Sequence, residues 1–363
     1  MAGKSPLSHF FKDLKVVELA GVLAGPSVGL FFAELGAEVT KIENKKTGGD
    51  VTRTWKSSSE KITGSSSAYF LSVNFKKKHL FLDVSKPLDH KKCLTLIEKA
   101  DLVIVNFKKG DAEKLGLSYA LLKKINPKLI YAAIHGYSES DPRPAYDLVL
   151  QAESGFMSMN GTQKSGPLKM PVAIIDLLAA HHLKEGILMA LLKRNSTGIG
   201  SHVSVSLFDA AVCSLANQAT NYLISGTIPR RLGSLHPNIA PYGETFFTTD
   251  KILVTFAIGN NTQFLSLCRV LKIEKTGAQK RFEQNKDRVL NRKQLFEIMR
   301  GAVQLLRFQT LHRECLKMNI PCARIRNLEE VFALPEAQQL LRKIKLEGKS
   351  FKTVTSVPFH ISE

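Results

Sequence analysis

The chain has 363 residues, 44% of them apolar and 23% charged, with a formal net charge of +19. That length supports two compact units with sizeable cores, and the composition excludes a fibrous or intrinsically disordered chain. No stretch reaches the roughly 18 uninterrupted apolar residues of a membrane helix, and the opening MAGKSPLSHFFKDLK lacks the apolar core of a secretory signal.

Cys93, Cys213, Cys268, Cys315 and Cys322 form no C-x-x-C and no zinc grouping, so no metal site is expected. The count argues against a disulfide framework and for a reducing, cytoplasmic setting. The lysines come in short groups, such as 76–78 and 108–109, and describe a solvated basic surface. Aromatics interleaved with Arg and Gly are absent, so neither nucleic acid nor membrane is an expected partner. The positive field can still steer a polyanionic ligand inward.

LKVVELA reads as a strand, GVLAGP as a turn, SVGLFFAELGA as a helix ending near Gly36, and EVTKIE as a second strand. LFLDV, a helix over 91–99, DLVIVNF, a helix near 119–124 and LIYAAIHGY continue the alternation. This pattern predicts a parallel, doubly wound α/β sheet that binds ligands at its strand C-terminal ends. Glu43 ends the second strand, where a ribose-binding acid would sit. The first turn is not G-x-G-x-x-G, however, and Pro26 stiffens it, which argues against a dinucleotide site.

Residues 137–170 are loop-rich. VAII then reads as a strand running into Asp176 and the helix LLAAHHLKEGILMALLKR. Asp176 lies among Ile174, Ile175, Leu177 and Leu178, where burial without partners would disfavour its charged form. Two readings coexist: a helix N-cap, and a carboxylate displayed toward a ligand crevice. HVSVSLFDAAV follows as strand and helix, and Gly, Pro and Arg over 221–241 mark a passage between units. A smaller mixed region holds ILVTFAIG and helices through Leu305 and Leu316, and IPCARIRNLEEVFALPEAQ gives a further strand and helix. His135, His181 and His182 receive no role.

Ordered stretches over 14–338 then carry a resemblance: LAGPSVGLFFAELGAEVTKIE, NFKKKHLFLDV, ADLVIVNFKKGDAEKLGL, INPKLIYAAIHGY, AYDLVLQAESG, VAIIDLLAAHHLKEGILMALLKR, GSHVSVSLFDAAV, HPNIAPYGETFFTTD and IPCARIRNLEEVFALPEAQ. Together they resemble the class III coenzyme A transferases, the CaiB/BaiF family, which includes the 2-methylacyl-CoA racemases. The resemblance implies a Rossmann-like large domain from both chain ends (1–220 and 325–363). A linker and smaller α+β domain (221–324) would lie between, in a homodimer of interlocked rings. It implies transfer of CoA from an acyl-CoA donor to a carboxylic acid acceptor, with coenzyme A as substrate and no separate cofactor.

By the same resemblance, Asp176 is the catalytic carboxylate, passing through a mixed anhydride and an aspartyl-CoA thioester. Tyr146 and Asp147 are the supporting pair beside it. Leu23, Ala24, Leu82, Asp83, Asn106 and Phe107 correspond to CoA-contacting positions. Lys114 stands where an arginine usually meets the CoA phosphates. Gly259 belongs to a flap over the intermediates.

Several positions depart from the family pattern. Leu23 replaces a glutamine of formyl-CoA-type enzymes, and Asn44 replaces an arginine after KIE. GYSESDP replaces G-F-G-x-x-G-P, and Asn260 and Asn261 stand in the flap. The chain stops at VPFHISE, before the family's C-terminal helical tail. Two alternatives follow. A 2-methylacyl-CoA racemase would need a base that Ala145-Tyr146-Asp147 lacks where racemases have G-H-D; a CoA-binding protein without activity is the other.

Overall fold

β-branched and aliphatic runs suit strands covered on both faces, and in the computed structural model they form the centre of a parallel sheet. The structure describes residues 6–62, 64–346 and 348–362. Two units result. The second comprises Ser158–Leu168 and Pro229–Gln338, and the rest of the described chain forms the first.

The first unit begins β1 (Lys15–Glu18), α1 (Ala24–Glu34), β2 (Glu38–Asn44), α2 (Ala68–Asn74), β3 (Lys78–Leu82) and α3 (Pro87–Glu98). It continues β4 (Leu102–Val105), α4 (Asp111–Lys114), α5 (Tyr119–Ile125), β5 (Ile130–His135), α6 (Asp147–Glu153) and α7 (Phe156–Met159). After the hairpin β6 (Gly161–Thr162) and β7 (Gly166–Pro167), which belongs to the second unit, come α8 (Ile174–Thr197), β8 (Ser201–Ser206), α9 (Leu207–Cys213) and α10 (Ala216–Ser225).

The six strands of the large sheet lie in the order β3-β2-β1-β4-β5-β8, and every neighbouring pair is parallel. The winding reverses between β1 and β4, so a crevice opens beyond their C-terminal ends. Alternate residues divide the core between the two faces. Val16, Leu102, Ile104 and Ile130 pack with α1 and α8, while Val17, Val103, Val105 and Tyr131 pack with Cys93 and Ile97 of α3.

Two sequence expectations are corrected here. VAII is not a strand: α8 begins at Ile174, within it. Nor is Asp176 the N-cap, a position held by Ala173, whose side chain makes no capping hydrogen bond. Asp176 is the third residue of the helix, and Asp147 Oδ1 accepts the Ile175 amide at 2.8 Å. A carboxylate distant in sequence supplies the cap that turns branched residues into a first helical turn.

The second unit carries β9 (Tyr242–Phe247), β10 (Leu253–Ala257), α11 (Asn261–Val270), α12 (Glu274–Gly277), α13 (Lys280–Glu283), α14 (Asn285–Leu290), α15 (Arg292–Val303), α16 (Phe308–Lys317), β11 (Cys322–Arg324), α17 (Leu328–Phe332) and α18 (Pro335–Gln339). Its sheet is antiparallel, in the order β11-β10-β9, over a core that includes Phe246, Phe256, Phe264, Leu295, Met299 and Leu311.

The boundaries differ from the expected 221–324. α10 runs on to Ser225 before closing on Gly226 in the left-handed conformation. β11 pairs with β10, so the chain returns to the first unit only at Gln339. The β6–β7 hairpin joins this unit through the Gly233 amide, which donates to the Gly161 carbonyl at 2.7 Å.

Back in the first unit, β12 (Leu341–Leu346) and β13 (Lys349–Val354) form an antiparallel hairpin, with Ile344 packed on Phe70 and Leu71 of α2. Beyond it Ser356 Oγ and Thr355 Oγ1 donate to the Glu34 carboxylate at 2.7 and 2.9 Å. Glu34 is buried at the C-terminal end of α1.

Candidate active site

The crevice at the sheet's winding reversal is a cavity of about 430 Å³. The turns after β1 and β4 meet there: Asn106 Oδ1 accepts the Gly21 amide and Asn106 Nδ2 donates to the Gly21 carbonyl, both at 3.0 Å. Leu23, Ala24, Asn106 and Phe107 line the cavity, as do Tyr146 and Asp176. The sequence therefore brings six of its candidates together.

Asp176 is 7% exposed. Burial, then the nearby charge of Asp147, pushes its carboxyl up to about 7. The helix dipole at an N-terminal turn acts the other way and favours the carboxylate. The result is a carboxylate that is poorly solvated yet still accessible at neutral pH, which suits a nucleophile.

Both oxygens of Asp147 already accept a hydrogen bond. Oδ1 holds the Ile175 amide and Oδ2 accepts Gln151 Nε2 at 2.6 Å. Gln151, fully buried, in turn accepts the Met170 amide at 2.8 Å. Asp147 thus orients the start of α8 and adds negative charge near Asp176. Tyr146, beside it, is 56% exposed at the cavity wall.

Leu82, Asp83 and Lys114 do not line this cavity. Leu82 is core. Asp83 accepts from the Ser85 amide and hydroxyl in a local turn at 3.1 and 2.6 Å. The exposed Lys114 faces Asp111 one helical turn away at 3.7 Å. Gly259, in the second unit, donates to Gln263 Oε1 at 2.9 Å. Its neighbour Asn260 caps α11, and Asn261 accepts from Arg288 at 2.8 Å, so both flap asparagines have local structural work.

Four charged residues escaped the sequence reading. Lys41 Nζ lies 3.0 Å from Glu18 and 3.1 Å from Asp50, and Lys77 bonds Glu18 at 2.7 Å and the Pro26 carbonyl at 2.8 Å. Asp50 also accepts the amide of Val22, at 3.2 Å. Val22 is left-handed, with φ of 70°, a strained state for a branched residue. This buried network clamps the turn after β1 against the cavity. The available signal was Glu18 and Lys41 inside apolar strand segments.

Glu43 is unavailable to a ribose. Burial alone would raise its carboxyl, but hydrogen bonds from Arg53 and His79 outweigh that and hold it well below the usual range. His135, assigned no role above, does line the cavity, and its Nε2 is buried without a partner among the described residues. His182 instead faces Glu185 on the exposed side of α8. Among the described residues no cluster of His, Cys, Asp and Glu is placed to hold a metal ion. No helix there is long and apolar enough to cross a membrane.

Residues 11–363 match the profile of CoA-transferase family III. The chain belongs to that family. The transferase is 37% identical to a succinate–glutarate CoA-transferase of Agrobacterium fabrum, over 98% of this chain and 88% of the relative. It is 33% identical to the human succinyl-CoA:glutarate CoA-transferase, over 90% of this chain and 74% of the relative. Among solved structures it resembles a CAIB/BAIF family protein from Brucella suis at 36% identity and a TM-score of 0.83, covering 99% of this chain and 93% of that one.

Proposed function

We propose that this transferase moves CoA between dicarboxylic acids through covalent catalysis at Asp176. The observation that carries the reading is a buried carboxylate of raised proton affinity on the wall of the cavity. Its oxygen attacks the thioester carbonyl, the C–S bond breaks, and a mixed anhydride forms with release of CoA thiolate. The thiolate attacks the aspartyl carbonyl, freeing the donor acid and leaving an aspartyl-CoA thioester. The acceptor carboxylate then reverses these two steps and departs as the new acyl-CoA.

Leu23, Ala24, Asn106 and Phe107 form walls for the pantetheine arm, and Lys108 and Lys109 on the same cavity offer charge to the phosphates. Asp83 and Lys114 keep their family roles in this reading only as outer contacts. Succinate and glutarate are the acids named for the relatives above, and they are the substrates proposed here. The chemistry uses CoA alone as carrier.

The same reading includes the interlocked homodimer. α10 contains no buried residue, and its Leu223 and Ile224 are 78% and 82% exposed, a surface that calls for a covering partner.

The test is intact-mass spectrometry after incubation with succinyl-CoA and a hydroxylamine quench. A hydroxamate mapping to Asp176, and absent from Asp176→Ala, is the expected result. Transfer to glutarate by Asp176→Ala at the parent rate would overturn the mechanism. Transfer confined to monocarboxylic acceptors would overturn the substrate class alone.

A further inference from the structure

The second unit contains a thiol pair that the transfer chemistry does not use. Cys315 lies near the end of α16 and is fully buried, and Cys322 opens β11 and is partly exposed. Between them the chain reverses. The Ile320 amide returns to the Cys315 carbonyl at 2.8 Å, and Asn319 takes a left-handed conformation, φ 54°. The reversal returns Cys322 to the core cluster that holds Cys315, where each thiol shifts the other's proton affinity. Cys322 also lines an apolar cavity of about 550 Å³, beside Thr255, Ala257, Pro321 and Ala323.

We propose that Cys315 and Cys322 form a hydroperoxide-sensitive dithiol, with Cys322 as the attacking sulfur and Cys315 as the resolving one. Access through the cavity gives a small oxidant a route to Cys322. The Cys315 thiol lowers the Cys322 thiol below its ordinary value, whereas Cys315 is driven up, by Cys322 first and burial second. Burial alone pushes Cys93 up to about 12. It also dominates at Cys268, which rises to about 11. These two stay thiols.

In the first step the Cys322 thiolate attacks one peroxide oxygen. The S–O bond forms, the O–O bond breaks, and sulfur is oxidised to a sulfenic acid while the other oxygen leaves as hydroxide, which takes up the proton released by the Cys322 thiol to give water. Cys315 then attacks the Cys322 sulfur: the S–S bond forms, the S–O bond breaks, and hydroxide leaves with the thiol proton as water. The product ties α16 to β11.

The experiment is a time course of the full chain with stoichiometric hydrogen peroxide, followed by alkylation in denaturant and peptide mapping. The expected result is a Cys315–Cys322 linked peptide, lighter by two hydrogens and reversed by dithiothreitol, that appears before the exposed Cys213 reacts. Cys315→Ser should instead leave a dimedone-trappable sulfenic acid at Cys322, and Cys322→Ser should abolish the link. Circular dichroism checks the fold of Cys315→Ser, and Cys315→Ala replaces it if folding fails. Free, alkylatable Cys322 after Cys213 has oxidised would overturn the proposal, as would a Cys322 sulfenic acid that persists in the parent chain.

Discussion

Asp147 caps the helix that carries Asp176, and its charge also raises the proton affinity of that residue. One carboxylate therefore sets both the position and the ionisation of the other. Asp147→Asn keeps an oxygen for the Ile175 amide but removes the charge. The acid limb of the transfer rate should move to lower pH, and a pH–rate profile of kcat would show it. Asp147→Ala also removes the cap, at a cost of about 1 kcal/mol in stability. An unmoved limb in the Asn variant would mean that burial alone governs Asp176.

Asp176 should weaken the fold at neutral pH. Its native proton affinity, about 7, lies above the ordinary 3.8. Between those values the native state keeps a proton that the unfolded chain has released, so stability falls as pH rises through this window. The penalty is then constant above it, with a ceiling of about 4 kcal/mol. Asp176→Asn should accordingly match the parent near pH 4 and exceed it in urea midpoint at pH 8. Equal midpoints at both pH values would contradict the raised affinity.

Asp50 acts on the cavity through the backbone of Val22. Asp50→Ala removes the acceptor for a strained amide and one partner of the buried Lys41. The expected loss is on the order of 3 kcal/mol, with KM for acyl-CoA rising more than kcat falls. Asp50→Asn, which keeps an acceptor, should recover most of the KM. Loss of kcat alone would place Asp50 in the chemical step instead.

Two glycines should respond in opposite senses. A Cβ at Gly29 would lie 1.8 Å from Glu18 Oε2, inside the buried ion network, whereas one at Gly301 meets nothing within 4 Å. Gly29→Ala should destabilise by more than about 3 kcal/mol, since overpacking here also disturbs paired charges. Gly301→Ala, on the exposed side of α15, should stabilise by up to about 1 kcal/mol. Thermal melts of the two variants separate them.

The parallel sheet was legible because strands covered on both faces are apolar runs, as LVIV of β4 is at all four positions. Asp176 stood out because ionisable groups are rare in such surroundings. What escaped was long-range. VAII has the composition of a strand, and only Asp147, reaching it across the loop, makes it a helix start. Lys41, Asp50 and Lys77 reach Glu18 and the turn after β1 from three separate segments. No local pattern encodes that convergence. Asn106 could be placed at a strand end from its sequence context, but its clasp on Gly21 required the sheet order to be known.

Glu34 has a consequence for synthesis on the ribosome. Its buried carboxylate closes a helix near the start of the chain and is satisfied by Thr355 and Ser356, 321 and 322 residues later. Until those residues emerge, an anion at the negative end of α1 lacks these hydrogen-bond donors. The large unit therefore completes this contact only after the whole second unit has been made, however early its first strands appear. Its nascent form must keep an unfinished surface waiting while the whole second unit is made, a long exposure of the kind that chaperones shield.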